Sequence, residues 1–188
     1  MSAETPRSPA RLASRRIHTG RVLNLDVDRV RFPDGSEGEL EIIRHSGASA
    51  IVPFLGDPAG EDPQILLIRQ YRYASGGTML EVPAGRPDHP GEDWEVCARR
   101  ELQEETGLVA GKLQPLTSIF TTPGFTDEKI HLFLATELTN GTQTLDADEF
   151  VEPVTMPLSE ALEMIRSGEI SDAKTICTLL FAAGFLLQ

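Results

Sequence analysis

The chain has 188 residues, of which 40% are hydrophobic, and its formal net charge is -12 at pH 7. This length and apolar content predict a globular protein with a core of its own. The acidic balance argues against nucleic acid as a partner, because such binding relies on a basic surface. No segment reaches the roughly 18 apolar residues that a membrane span requires, so no membrane association is expected.

The N-terminal segment MSAETPRSPARLASRR is rich in Ser, Arg and Pro and contains no apolar stretch. It predicts a flexible tail over residues 1–17 rather than a secretory signal. Cys97 and Cys177 lie far apart in the chain and form no CxxC motif. This cysteine usage indicates reduced thiols and therefore a cytoplasmic protein.

Residues 18–46 have the pattern of a small antiparallel β subdomain. Apolar and polar residues alternate over 23–28 (LNLDVD), a turn signal follows at 33–36 (PDGS), and 38–44 (GELEIIR) runs back as a second strand. The alternation places Leu23, Leu25 and Val27 on one face of the first strand and Asn24, Asp26 and Asp28 on the other.

Residues 47–188 are expected to form a larger domain that mixes strands and helices. Strand patterns are found at 48–55, 64–70, 113–121, 130–137 and 151–156. Helices are predicted over 92–106, from an N-cap at Ser159 to Gly168, and from Ser171 or Asp172 to Leu187. The first strands lack crossover helices, which favours an α/β (α+β) sandwich with a mixed sheet over a doubly wound parallel sheet.

The helix predicted over 92–106 carries a cluster of carboxylates beside Arg100. Steps of about 100° per residue place Glu101 and Glu105 on one face, with Glu104 alongside. Three acids so close repel one another and weaken an isolated helix, although a solvated helix face tolerates such a run. Clustered hard oxygen ligands are what Mg²⁺ or Mn²⁺ requires, and these ions commonly bridge substrate phosphates.

The segment from Gly85 to Leu108 resembles the Nudix box: Gly, five residues, Glu, seven residues, then Arg-Glu-hydrophobe-any-Glu-Glu-any-Gly-hydrophobe. All of the fixed residues are present, with RELQEETGL at 100–108, but six residues rather than five separate Gly85 from Glu92. We expect the additional residue to form a bulge in the loop at 87–91 and to leave the helix register unchanged. The resemblance implies a Nudix hydrolase with an α/β/α sandwich, in which Glu92 caps or orients the box.

The resemblance also implies a metal site. Glu101 and Glu105 would be the principal ligands of Mg²⁺, or of Mn²⁺, with Glu104 as a further ligand and the carbonyl oxygen of Ala84 completing the shell. Arg100 would orient the glutamates through charge-assisted hydrogen bonds. The bound cations would neutralise a pyrophosphate, which explains how an acidic protein can take an anionic substrate.

The flanking segments resemble the branch of the family that hydrolyses ADP-ribose and related nucleotide sugars. The similar segments are RQYRY at 69–73, LEVPAG at 80–85, TPGFTDE at 122–128, SEALEMIRSGEI at 159–170 and the β subdomain. This resemblance implies hydrolysis of ADP-ribose to AMP and ribose 5-phosphate. It also implies a homodimer formed through the N-terminal subdomain.

The candidate substrate-binding residues lie in these flanking segments: Arg69, Arg72, Glu81, Phe125 and Glu128. The arginines could meet phosphates, although each could equally be an ordinary surface charge. Glu81 could accept a hydrogen bond from a ribose or the base. Phe125 or Tyr71 could stack on adenine, and a packing role fits them equally well.

The candidate catalytic residues are Glu149, Glu104 and Arg100. Glu149 lies in the acidic segment DADEFVE at 146–152, and it would be the base that activates water or a water-mediated metal contact. Glu152 and Asp148 are the next candidates, and a solvated acidic loop is the alternative interpretation of the segment.

Two further functions stay open at this stage. The first is hydrolysis of GDP-mannose or another nucleotide sugar, since the box defines the reaction and not the base. The second is a non-catalytic, nucleotide-sensing Nudix module, which would be expected to have lost box glutamates. In each case the partner is a small nucleoside diphosphate compound.

Overall fold

The structure is a computed structural model that describes residues 9–145 and 149–185. Residue contacts divide the chain into two units. The first runs to Ser46 and includes Phe120–Lys129, and the second comprises Gly47–Ile119 and the chain from Ile130 onward. The second unit begins where the sequence predicts the larger domain to begin, but 120–129, which the sequence analysis assigns to that domain, groups with the first unit.

The first unit is an antiparallel meander of β1 (Ala10–Thr19), β2 (Asn24–Arg31) and β3 (Glu37–Arg44), in that spatial order. Because β1 begins at Ala10, the predicted tail over 1–17 is wrong from that residue on. The segment is polar, but it pairs with β2 along its length, and ladder hydrogen bonds do not require apolar side chains. The first eight residues of the tail lie outside the described residues.

The buried face of β2 is the acidic one. Asp26 and Asp28 are 6% and 5% exposed, whereas the intervening Val27 is only partly buried. Arg44 on β3 donates to Asp26 Oδ2 at 3.2 Å and also bonds Asp28, and Arg16 on β1 bonds Asp26. Buried carboxylates require such partners, so the ion pairs across the three strands determine which face is turned inward.

The second unit contains a mixed four-stranded sheet and an antiparallel three-stranded sheet. The four-stranded sheet has the order β7 (Ala84–Gly85), β4 (Ala48–Pro53), β9 (Lys129–Asn140), β8 (Leu108–Phe120). The three-stranded sheet has the order β10 (Val151–Pro157), β5 (Gln64–Arg72), β6 (Gly77–Glu81). β4 runs parallel to β9 and antiparallel to β7. The mixed sheet predicted from the sequence is therefore confirmed.

Three α-helices accompany the sheets: α1 (Trp94–Thr106), α2 (Leu158–Ser167) and α3 (Ala173–Phe185). Asp93 caps α1 by accepting from Glu95 N at 2.9 Å, and Gly107 ends the helix in the left-handed conformation at φ 72°. Within 9–145 and 149–185, no helix is both long and apolar enough to span a bilayer.

The N-cap predicted at Ser159 is wrong. α2 begins one residue earlier, at Leu158, and Pro157 occupies the cap position without a side-chain hydrogen bond. Ser159 lies in the first turn, where its backbone N–H and Oγ both donate to the carboxylate of Asp62, at 3.1 and 2.8 Å. An acid from another loop thus satisfies the donors that a local cap would otherwise satisfy.

Alternating residues of β4 build two cores, one on each face of the mixed sheet. Ala50 and Val52 belong to a cluster that includes Leu158 and Ala161 of α2 and Leu179 and Ala182 of α3. Ile51 points the other way, into a cluster with Ala98 and Leu102 of α1. The mixed sheet is therefore covered by helices on both faces, as the predicted α/β/α sandwich requires.

Leu102→Ala tests whether the core under α1 sets the stability of the second unit. Leu102 is fully buried, so we expect a loss of about 2–5 kcal/mol in the free energy of unfolding, from lost burial and the cavity left behind. The measurement is urea unfolding followed by circular dichroism. Leu180→Ala is the control, because this helical leucine is 49% exposed and should change stability by less than about 0.5 kcal/mol. Equal losses in the two variants would contradict this view of the core.

Candidate active site

The carboxylates of α1 stand at the edge of its buried face. Glu101 and Glu105 are 7% and 1% exposed, and they continue the stripe that Ala98 and Leu102 bury against the sheet. Arg100 donates from one nitrogen to Glu101 at 2.8 Å and to Glu104 at 2.9 Å. The structure thus brings together the acids and the arginine that the helix periodicity places on one side.

Arg100 also ties α1 to the loop that precedes it. Its second terminal nitrogen donates to the carbonyl of Arg86 at 2.8 Å and to Glu92 at 3.4 Å. Glu92 in turn accepts from the backbone N–H of Asp88 at 2.8 Å. The loop with the additional residue turns at Gly91, where φ is 86°, and α1 is regular after it. Glu92 thus bonds both the loop and Arg100, and the additional residue leaves the register of α1 unchanged.

Gly85 is the point at which the backbone approaches the carboxylates most closely. A Cβ added there would lie 2.0 Å from Glu101 Cδ, which no side chain permits. The neighbouring Ala84 N–H donates to Glu105 Oε2 at 2.9 Å. β7 therefore packs against both buried carboxylates, and a side chain at position 85 would force the Glu101 carboxylate to move from its place.

Burial and mutual repulsion make these two acids hard to ionise. Burial raises the pKa of Glu105 to about 8, with the charges of Glu101 and Glu149 adding to it. Burial likewise raises the pKa of Glu101 to about 7, against the opposing effect of Arg100. Two adjacent buried carboxylates are stable as anions only when a cation approaches them.

The donor set fits a hard divalent cation. Among the described residues no three His, Cys, Asp or Glu side chains converge closely enough to hold an ion as they stand, and Arg100 instead bonds Glu101 and Glu104. Carboxylate oxygens and a backbone carbonyl nevertheless match the preferences of Mg²⁺ and Mn²⁺. The thiol of Cys97 lies nearby, 3.7 Å from the Gly85 carbonyl oxygen, but hard cations such as Mg²⁺ prefer oxygen ligands to sulfur.

Arg72 and Glu81 form a second polar cluster at the ends of β5 and β6. Arg72 donates two hydrogen bonds of 2.8 Å to the two oxygens of Glu81. Lys174, in the first turn of α3, bonds the same carboxylate. The side chain of Glu81 is 1% exposed and that of Arg72 is 41% exposed. Lys174 is absent from the residues predicted by sequence, because no local pattern around it indicates a distant partner.

Arg69 lies on the opposite face of β5 from Arg72. Successive residues of a strand point to opposite faces, so Arg69 and Tyr71 lie on the other side of β5. There they line an open pocket of about 390 Å³ together with Phe150. The Arg69 side chain is half exposed and forms an ion pair of 3.7 Å with Glu152. Glu152, one of the alternative bases, therefore lies on this face.

Glu149 is near the carboxylates of α1, since its charge raises the pKa of both Glu101 and Glu105. Asp148, the remaining candidate of that segment, lies outside the described residues.

Phe125 and Glu128 belong to the first unit. The carbonyl of Phe125 accepts from Ile43 N at 2.7 Å, and its side chain is half exposed. Glu128 accepts from Thr121 Oγ1 at 2.8 Å and forms an ion pair of 3.3 Å with His45. Backbone hydrogen bonds to β3 therefore fix the segment that contains Phe125 and Glu128.

Helices on both faces of a mixed sheet, with clustered acids on the helix that follows a glycine-bearing strand, define a Nudix protein. A family model described as the NUDIX domain matches residues 45–179. The chain belongs to this family.

Relatives with different names are similar in sequence to this chain over most of its length. An ADP-ribose pyrophosphatase of Bacillus subtilis (strain 168) is 40% identical over 166 residues, which cover 87% of this chain and 86% of that protein. A methanol dehydrogenase activator of Bacillus methanolicus is 38% identical over 172 residues, covering 90% of each chain. A GDP-mannose pyrophosphatase of Escherichia coli O139:H28 is 38% identical over 124 residues, covering 61% of this chain and 64% of that protein.

The fold recurs in a solved crystal structure described as an ADP compounds hydrolase. The TM-score is 0.79, with 98% of this chain and 97% of that chain covered at 22% sequence identity. At this identity the likeness shows the fold alone, and it agrees with the predicted Nudix α/β/α sandwich.

The raised pKa values predict an unusual dependence of stability on pH. In metal-free protein, Glu105 holds a proton up to a pH of about 8, whereas the unfolded chain releases it near its ordinary pKa of about 4.3. The folded state then binds more protons between these values, so stability should fall as pH rises through this window, by at least about 1 kcal/mol.

Urea unfolding in EDTA at pH 5.5 and 8.5 measures this fall. Glu105→Gln should reduce it, and the control Glu95→Gln, an exposed acid of the same helix, should leave it unchanged. Stability that rises with pH over this range would refute the assignment of raised pKa values to the buried pair.

Proposed function

We propose that this Nudix protein hydrolyses the pyrophosphate bond of ADP-ribose, with Mg²⁺ as cofactor, to give AMP and ribose 5-phosphate. The observation that carries the proposal is the buried pair Glu101 and Glu105 packed against Gly85. Such a pair is costly in a protein that binds no cation. The similarity to an ADP-ribose pyrophosphatase over 86% of its length supports the substrate.

The metal would be held by Glu101, Glu105, Glu104 and the carbonyl oxygen of Ala84. When bound, Mg²⁺, or Mn²⁺ in its place, neutralises the pyrophosphate and the charge that develops on the leaving phosphate. Arg100 has hydrogen bonds to Glu101 and Glu104 and would orient them for this purpose.

The catalytic base in the proposal is Glu149. It would remove a proton from the attacking water as the water oxygen bonds to one phosphorus and the bridging P–O bond breaks. The charge of Glu149 contributes to the raised pKa of both buried acids, which supports this assignment. A base must lie close to the metal-bound substrate to act.

Arg72 is the strongest of the proposed substrate-binding residues. Its guanidinium is partly exposed, and its pKa is influenced by the charge of Glu105, so it borders the metal ligands. Glu81, which bonds Arg72, belongs to the same subsite. Arg69, Phe125 and Glu128 complete the proposed set of substrate-binding residues.

We further propose a homodimer in the cytoplasm. All ten residues of β1 are exposed, including Leu12 and Ile17 at 37% and 46%, and an exposed edge strand has unpaired backbone groups that are suited to association with a second copy. Cys97 and Cys177 are free thiols, which fits a reducing compartment.

GDP-mannose is the second candidate substrate, favoured by the similarity to a GDP-mannose pyrophosphatase. That similarity covers less of the chain than the similarity to the ADP-ribose enzyme. A regulatory module without catalysis is disfavoured, because the box retains its carboxylates.

A substrate panel with Mg²⁺ tests the reaction. ADP-ribose, GDP-mannose, ADP-glucose and NADH are each incubated with the protein, and products are separated by chromatography. We expect AMP and ribose 5-phosphate from ADP-ribose, with a kcat/KM at least about tenfold above that for GDP-mannose. Glu105→Gln should abolish turnover. Preferential cleavage of GDP-mannose would make that compound the substrate in place of ADP-ribose. An absence of turnover with every compound would refute the proposed hydrolysis and favour the regulatory module.

Glu149→Gln tests the base. We expect kcat to fall by about 10²–10⁴-fold with little change in KM, since general base catalysis contributes this much. Glu152→Gln is the matched control, because this acid is exposed and paired with Arg69. A kcat that falls in Glu152→Gln and not in Glu149→Gln would transfer the role to Glu152.

A further inference from the structure

Glu81 is held from two sides by cations that come from distant parts of the chain. Arg72 at the end of β5 donates to both of its oxygens at 2.8 Å. Lys174, 93 residues further along the chain, donates to one of the same oxygens. The Lys174 side chain is 12% exposed, so it is directed at Glu81 and is largely withdrawn from solvent.

The first turn of α3 is fixed in place by a relay of hydrogen bonds. Asp172 accepts from Thr175 N at 2.9 Å and from Thr175 Oγ1 at 2.6 Å, and it forms an ion pair of 3.0 Å with Lys174. Thr175 Oγ1 in turn accepts from the backbone N–H of Val82 at 2.8 Å. The helix start is thereby bonded to the residue after Glu81, which leaves Lys174 little freedom to move away.

The charges of this cluster balance only when Lys174 is counted. Arg72 and Lys174 are the cations, and Glu81 and Asp172 are the anions. Without the lysine, the cluster would carry a net negative charge beside Glu105 in a protein of net charge -12. An anionic substrate would be repelled there, and Glu81 would draw more strongly on Arg72.

We propose that Lys174 is a positioning residue for substrate binding, which holds Glu81 and so presents the Arg72 guanidinium to the phosphates of the nucleoside diphosphate. The proposal rests on the function proposed above. Lys174 is too buried to meet the substrate itself, so it acts through Glu81. The carboxylates proposed as metal ligands lie on α1, whereas the side-chain bonds of Lys174 in the described residues go to Glu81 and Asp172.

The test compares Lys174→Met, Lys174→Arg and the control Lys112→Met, which removes the same charge from a lysine outside the cluster. Four quantities are measured: KM and kcat for ADP-ribose with Mg²⁺, the dissociation constant of ADP-ribose in EDTA by calorimetry, and the dissociation constant of Mn²⁺ by electron paramagnetic resonance. Melting temperatures check that each variant is folded.

We expect Lys174→Met to raise KM, and the dissociation constant in EDTA, by roughly ten- to a hundredfold, because Glu81 then holds Arg72 more strongly against the pull of the phosphates and the cluster loses its charge balance. The change in kcat should be small, and Mn²⁺ binding should be unchanged. Lys174→Arg should restore most of the affinity, and Lys112→Met should behave as the parent protein. A general loss of structure would instead weaken Mn²⁺ binding together with substrate binding.

A double-mutant cycle with Glu81→Gln tests the route of action. If Lys174 acts through Glu81, adding Lys174→Met to Glu81→Gln should weaken binding little further. Additive effects, an unchanged KM in Lys174→Met, or no restoration by Lys174→Arg would each overturn the proposal. If the parent protein binds ADP-ribose in EDTA but does not cleave it, the proposed hydrolysis fails while the binding constants still decide the role of Lys174. If the parent protein cleaves ADP-ribose and the Lys174 variants have the same KM and dissociation constants as the parent, only the proposed role of Lys174 is refuted.

Discussion

The burial of two like charges on one helix is the constraint on which the active site depends. Glu101 and Glu105 lie one turn apart, and each is removed almost entirely from water. Burial and repulsion both favour the protonated form. The surrounding residues reduce this cost in different ways. Arg100 donates a hydrogen bond to Glu101, and the backbone N–H of Ala84 donates one to Glu105. Gly85 has no side chain, so the backbone can approach Glu101 closely.

Ion pairs that bury acids occur in both units. In the first unit Arg44 joins Asp26 and Asp28 across neighbouring strands. In the second unit Arg72 and Lys174 enclose Glu81. These acids are already balanced by cations of the chain, whereas Glu105 is met by a backbone N–H. This difference sets Glu105 apart from the carboxylates that hold the fold together, whereas Glu101 and Glu104 share one cation of the chain, Arg100.

The relatives named as pyrophosphatases are 38–40% identical to this chain, and their names differ in the compound that is cleaved. The proposed metal site offers a physical reason, because a metal held there would act on the pyrophosphate that all these compounds share. Selection among them must come from residues that reach the base and the sugar. In this chain the candidates are distributed between the ends of β5 and β6 and the segment 120–129, and these regions are built by different sets of contacts.

The sequence by itself determined the elements whose pattern is local. The periodicity of α1, the stop at Gly107 and the shared face of Glu101 and Glu105 follow from spacing along a helix, and the structure agrees with each. β4, β5, β9 and β10 were also predictable to within a few residues. β8 begins earlier than predicted, at Leu108, and the short strands β6 and β7 were not predicted.

Only the tertiary structure decided the features that depend on distant partners. β1 forms within a polar segment because β2 lies beside it, and β2 turns its aspartates inward because Arg44 on β3 bonds them. The segment 120–129 joins the first unit through backbone bonds to β3, and Lys174 meets Glu81 across 93 residues. A local pattern records the preferences of one segment, whereas the free energy of these contacts comes from two segments that meet only when the chain is folded.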